Sequence, residues 1–238
     1  MNSVLITGCN RGIGFGLVKY LSENRDLKFI FATCRNPDQA QELQEISNKH
    51  SNVKILKADT TNDTDIKNLA SEVKSHIGSD GLNVLINNAG VSSKYCRLGM
   101  VKRSDLEENL KVNTIAPILV SKAIAPLIKK SDSLAGGIII NVSSIMASIQ
   151  QNTTGGFYPY RTSKAALNAA TKSMSCDLKD NNIIVVSLHP GWLKTSMGGP
   201  QAPLSVDEAV PDIIKFIETL TPDKSGSFYS YDGKELPW

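Results

Sequence analysis

Tyr160 and Lys164 stand four positions apart in Tyr160-Arg161-Thr162-Ser163-Lys164, at the head of an alanine-rich stretch that reads as helix. Side chains at i and i+4 share one helix face, so a phenol and an ammonium here can serve one site. A free tyrosine, with a pKa of about 10, is a poor proton shuttle at neutral pH, and a fixed cation beside it eases its ionisation. The pair by itself has a bland alternative, an aromatic in the core and a lysine in solvent. The elements around it decide between the two.

Val- and Ile-rich runs alternate with helix-period segments along the chain, at Val4 to Thr7, Phe29 to Thr33, Val53 to Leu56, Asn83 to Ile86, Gly137 to Val142 and Ile183 to Leu188. Such runs suit strands buried on both faces. With a short last strand near Ser227 to Tyr231, they predict an α/β fold, one Rossmann-like, doubly wound parallel sheet of about seven strands with helices on both faces, spanning 1–238 as a single domain. Asn36-Pro37 offers an N-cap with proline at the first helical position, and Ser104 with Glu107 and Ser205 with Glu208 have capping-box spacing. In such a sheet ligands bind beyond the carboxyl ends of the strands, where strand order reverses.

The residues just after the strands fit that placement. Gly8, Asn10, Arg11, Gly12, Ile13 and Gly14 follow the first strand and open the first helix, where glycines let backbone approach a pyrophosphate. An ordinary glycine-rich turn is the alternative. The second strand ends in Thr33-Cys34-Arg35, without the acidic residue that binds a ribose 2′-hydroxyl in NAD readers. Arg35 is free to meet a 2′-phosphate, and Arg11 adds a second guanidinium, so NADP is favoured over NAD. Asp59 and Thr60 follow the third strand, suited to an adenine edge and ring or to a helix cap. Asn87, Ala89 and Gly90 close the fourth strand in a turn suited to lie against a cofactor.

In fixed order, TGCNRGIG, NNAG, Lys111-Val-Asn113, Asn141-Val-Ser-Ser144, YRTSK and Pro190-Gly191 resemble the short-chain dehydrogenase/reductase family over essentially the whole chain. The carboxyl half, with YRTSKAALNAATKSMS, SLHPGWLKTSMGG and YDGKELPW, is most similar to sniffer-type carbonyl reductases and their C-factor relatives. The resemblance implies a catalytic set in which Tyr160 is the acid/base and Lys164 lowers its pKa and holds the nicotinamide ribose. Ser144 polarises the substrate, in preference to the adjacent Ser143, and Asn113 anchors a proton relay. It also implies that Pro190, Gly191 and Thr195 clamp the nicotinamide carboxamide, and that the chain is a homodimer paired through two long helices, roughly Asp105 to Lys130 and Tyr160 to Lys179. Ser144 and Tyr160 lie 16 positions apart, against about a dozen in most of the family, so the intervening loop is long. Tyr158 is a decoy, because four residues after it stands Thr162 and no cation.

The implied activity is NADPH-dependent reduction of a small, largely apolar aldehyde, ketone or quinone. The alternative is an NADP(H)-binding signalling or redox-sensing protein with incidental turnover. Trp192 and Met197 line the substrate side or belong to the core, as do Met146, Phe157 and Tyr158, and Ser196 to Leu204 reads as a loop over the site. Lys and Arg number 26 against 23 Asp and Glu, interspersed without a basic stripe, so no nucleic-acid partner is expected. No metal cluster is expected from four scattered cysteines and three histidines. No run of about 20 apolar residues and no leader is evident, so no membrane partner and a cytoplasmic location are expected.

Overall fold

Strands form where the β-branched runs fall. A computed structural model describes all residues 1–238. It contains β1 (Ser3–Ile6), β2 (Phe29–Cys34), β3 (Val53–Lys57), β4 (Val84–Asn87), β5 (Gly137–Val142), β6 (Ile183–His189) and β7 (Phe228–Ser230). All pair in parallel in the order β3-β2-β1-β4-β5-β6-β7. The order reverses between β1 and β4, which opens a crevice beyond their carboxyl ends.

Alternate residues of each strand feed opposite cores. Val4 and Ile6 join Val84, Ile86, Ile138 and Ile140 under α1 (Gly12–Asn24), α2 (Gln41–Lys49) and α7 (Val206–Glu218). Leu5, Phe31, Leu85 and Ile139 join the residues of α3 (Asp63–Ile77) and α5 (Ala116–Ile124). The layer on that second face is completed by α4 (Arg103–Leu110) and α6 (Tyr158–Asp177), which pack against each other. Close packing of α1 on α7 requires the missing side chain of Gly16, because a Cβ there would stand 2.3 Å from Val206 Cγ1.

Ser205 and Glu208 form the expected reciprocal capping box at the start of α7. The other two expected caps are not made. Asn36 opens only a short 3₁₀ turn, Pro37–Gln39, without a side-chain cap bond, and α2 begins later at Gln41. Ser104 lies inside α4, which starts one residue earlier with Lys102 as its uncapped N-cap. Between α4 and α5 the helix widens into a π segment, Lys111–Ile115. The continuous helix Arg103–Leu127 is by length and composition apolar enough to cross a membrane. Its Val120 and Ile124 pack in the core against the sheet, and the fully buried Asn113 sits at its middle.

Candidate active site

The first turn of α6 carries Tyr160, and Lys164 lies one turn on, as the i, i+4 spacing predicts. Lys164 is buried, its Nζ donates to the Val142 carbonyl at 2.7 Å, and it stands 5.9 Å from the centre of the Tyr160 ring. Burial lowers its pKa from 10.5 to about 8. Burial also pushes the Tyr160 phenol above the ordinary tyrosine value, and the Ser144 hydroxyl pulls it part of the way back. With burial the larger influence, the phenol of the protein alone lies above its ordinary value rather than below it.

The two serines after β5 have different partners. Ser143 Oγ donates to Asn168 Oδ1 at 2.7 Å inside the fold. Ser144 caps the 3₁₀ turn Ile145–Ala147, accepting from Met146 N at 3.2 Å, and its hydroxyl is the one that draws the Tyr160 pKa down. The long loop behind it is tied at both ends by Arg161, which donates to the Met146 carbonyl and to Thr154 Oγ1, each at 3.1 Å. The Trp238 carbonyl holds its middle by accepting from Ser148 Oγ and Gln150 N, each at 3.1 Å.

Asn113 joins the loop after β4 to α6. Its Oδ1 accepts from Val91 N at 2.9 Å, and its Nδ2 donates to the Val91 carbonyl at 2.8 Å and to Ser163 Oγ at 3.0 Å. It sits in the π segment, a helix defect often found at functional sites, which aims the side chain at the site. A Cβ on Gly90 would lie 3.2 Å from Asn113 Oδ1 and 3.6 Å from Lys164 Nζ, so Asn113 and Lys164 converge on the backbone of this one glycine.

The glycine loop has the shape an anionic dinucleotide needs. A Cβ on Gly14 would stand 2.4 Å from the Gly8 carbonyl, and Gly8 and Gly12 have φ of +73° and +59°. The amino end of α1 has neither a side-chain cap nor an acidic residue in its first turn, so its N–H groups remain for an anion. Asn10, Arg11 and Arg35 are exposed around it, Ile13 lies in the first turn of α1, and Thr195 packs on Gly12. Asp59 makes a turn with Thr61, accepting from its N at 2.9 Å and its Oγ1 at 2.8 Å, while Asn62 is the cap of α3. Burial pushes the Asp59 carboxyl up, but Thr61, Arg35 and Lys111 together hold it below the ordinary value. Thr60 is buried beside it. These residues fit a phosphorylated dinucleotide.

Asn87 differs from its expected place. Its side chain is buried, donating to Ser121 Oγ at 2.9 Å and to Asn141 Oδ1 at 2.8 Å, within a polar ladder that continues through Thr171 to Ser187. The neighbouring Asn88 pins the crevice instead, donating to the carbonyls of Thr7 at 2.8 Å and Gly8 at 3.1 Å. Ala89 N donates to Thr7 Oγ1 at 3.0 Å. Sequence reasoning missed Asn88, Ser163 and Arg161; the i, i+3 spacing of Ser163 from Tyr160 was its available signal.

On the substrate side, Trp192 and Met197 are exposed at 55% and 51%, which removes them from the core. Trp192 Nε1 donates to the Gly198 carbonyl at 2.7 Å, and Lys194 N donates to the Leu204 carbonyl at 2.8 Å, so the segment closes on itself. Pro190 is buried, and Gly191, with φ +91°, lies close to Tyr231. His189 precedes them with Nδ1 buried and unpartnered. Burial lowers its pKa from 6.5 to about 4, against a smaller upward pull from Asp232. Folding thus favours the neutral ring, and as pH falls from 6.5 toward 4 the unfolded chain gains a proton that the folded chain refuses. Acid melts should show the parent losing roughly 2 kcal/mol more stability over that window than His189→Gln; parallel curves would contradict this.

Known proteins place this geometry. Residues 2–203 match the short chain dehydrogenase family. The carbonyl reductase Sniffer of D. melanogaster is 47% identical, both chains being covered in full at a TM-score of 0.97. An NADPH-bound carbonyl reductase from chicken fatty liver is 39% identical over 100% of this chain and 99% of that one, with a TM-score of 0.94. C-signal of Myxococcus xanthus is 43% identical over 157 residues, 66% of this chain and 93% of its own length. Joined to a parallel seven-stranded sheet with a glycine loop at its switch point, these likenesses make the chain a member of the short chain dehydrogenase family of oxidoreductases.

Proposed function

We propose that this protein is an NADPH-dependent carbonyl reductase acting on small, largely apolar aldehydes, ketones or quinones. The observation that carries the reading is the convergence of Asn113 and Lys164 on Gly90, one helix turn from a Tyr160 whose acidity Ser144 raises. The dinucleotide, when bound, supplies a hydride to the carbonyl carbon. Ser144 and Tyr160 hold the carbonyl oxygen, where negative charge grows, and Tyr160 gives it the proton that completes the alcohol. Lys164 supplies the local positive charge that supports the resulting tyrosinate. Asn113, fixed by three hydrogen bonds, orients the route by which the proton is replaced.

NADPH oxidation measured with a panel of aldehydes, ketones and quinones tests the reading. The likeness to C-signal motivates a second one, an NADP-binding signalling protein, and tight NADPH binding with no turnover on any carbonyl would favour it. The complete set of Ser144, Tyr160, Lys164 and Asn113 argues for turnover, since a binding protein needs no proton donor.

Arg35 is exposed and pairs with no carboxylate, and its charge is felt by Asp59, just past the end of the neighbouring strand β3. We assign it, with Arg11, to the 2′-phosphate. Arg35→Asp should weaken NADPH by roughly tenfold to a hundredfold while sparing NADH, the worth of one or two charge-assisted hydrogen bonds. Unaltered selectivity in titrations with both cofactors would refute the assignment. We further propose a cytoplasmic homodimer paired through helix Arg103–Leu127 and α6, where Ile115 and Ile118 are exposed at 50% and 38%; a monomer mass by light scattering would oppose the pairing.

A further inference from the structure

The loops on either side of Tyr160 are joined by a contact that the chemistry above does not use. Gly155, Gly156 and Phe157 are consecutively left-handed, with φ of +63°, +66° and +51°. Glycine enters that region freely, whereas a phenylalanine there is strained and persists only where its surroundings over-determine it. Phe157 N donates to the Cys96 carbonyl at 3.1 Å, and the Phe157 ring meets the Tyr95 ring edge-on, with centroids 5.0 Å apart and planes at 73°. A Cβ on Gly156 would stand 2.4 Å from Tyr95 Cε2, so the tyrosine ring lies directly on the bare backbone of that glycine. The turn thus works as a seat for one aromatic side chain.

The seat lies beside the reaction centre. Phe157 immediately precedes α6, whose first turn carries Tyr160, and Tyr95 follows the loop in which Gly90 approaches Lys164. Tyr95 is nonetheless 49% exposed, and its hydroxyl accepts from Arg97 Nε at 3.3 Å, which fixes the ring from its outer end. A ring anchored on both sides yet open to solvent is preorganised for a third aromatic partner, because offset and edge-on ring contacts add attraction beyond area alone. A flexible aliphatic chain gains much less from such a wall.

We propose that Tyr95 is a specificity-determining residue of this site, its ring seated on the left-handed turn of residues 155–157 as the wall against which a flat aromatic carbonyl compound stacks. This rests on the carbonyl reductase reading. The test compares naphthoquinone with butanal as NADPH-dependent substrates of the parent, Tyr95→Phe, Tyr95→Ala and Gly156→Ala, with thermal melts confirming that each is folded. Tyr95→Ala should raise KM for naphthoquinone roughly threefold to tenfold with kcat nearly unchanged, and leave butanal kinetics as they are. Tyr95→Phe should keep the parent's preference. Gly156→Ala, whose new methyl displaces the ring, should reproduce the loss on naphthoquinone. Equal effects of Tyr95→Ala on both substrates, or none on either, overturn the inference alone. A parent that oxidises NADPH with neither substrate overturns the reductase reading and this inference together.

Discussion

Tyr160→Phe is expected to lower kcat on any carbonyl substrate by about 10² to 10⁴, the usual worth of a positioned proton donor. The substitution removes one oxygen and keeps the ring that stands against Lys164. Lys164 keeps its bond to Val142, Asn113 keeps its three partners, and the glycine loop is untouched, so NADPH affinity should stay within about threefold. Stability should hold too, because burial already disfavours the ionised phenol and Phe removes a polar group from a desolvated place. Loss of kcat with intact cofactor binding and intact melting separates a chemical role from a structural one. If Tyr160→Phe retained more than a tenth of the parent's kcat, Tyr160 would not be the proton donor, and Ser144 would be the next group to examine.

How far this site was legible depended on whether its cause was local. The strands were readable because two-sided burial leaves uninterrupted apolar runs, and no observed bound differs from the expected one by more than a residue. Ser205 with Glu208 was readable as a cap because both partners lie within one turn. Ser104 with Glu107 has the same spacing and fails, because α4 starts before it and Arg103 takes up Glu107 at 3.5 Å. The choice of Ser144 over Ser143 rested on resemblance, and its physical reason lies 25 residues away in Asn168, which holds Ser143. Asn87 and Asn88 are adjacent in sequence, yet strand register sends one to the ladder with Asn141 and the other to the crevice. The π segment under Asn113 left no compositional trace, and Gly155-Gly156 marks a turn without marking the left-handed Phe157 that ends it. Both depend on contacts between loops distant along the chain.

Lys164→Met should abolish most turnover while making the fold more stable at neutral pH. A lysine buried in an apolar setting pays for desolvation with its pKa, here lowered from 10.5 to about 8. The folded pKa lies below the unfolded one, so between about pH 8 and 10.5 the unfolded chain holds a proton that the folded chain has released. This group's contribution to stability therefore rises with pH across that window and is at its most unfavourable below pH 8. The shift corresponds to about 3 kcal/mol, from which the lost hydrogen bond to the Val142 carbonyl removes about 1–2 kcal/mol. Lys164→Met should accordingly gain roughly 1–2 kcal/mol at pH 7, with the gain disappearing as pH approaches 10.5. Denaturant unfolding at several pH values reads the stability, and NADPH oxidation reads the loss. The opposite sign, a variant less stable at pH 7 than the parent, would mean that the ammonium is a net structural tie. The expected sign means that the fold retains an unfavourable buried charge, the cost to be expected of a group kept for the proton transfer proposed at Tyr160.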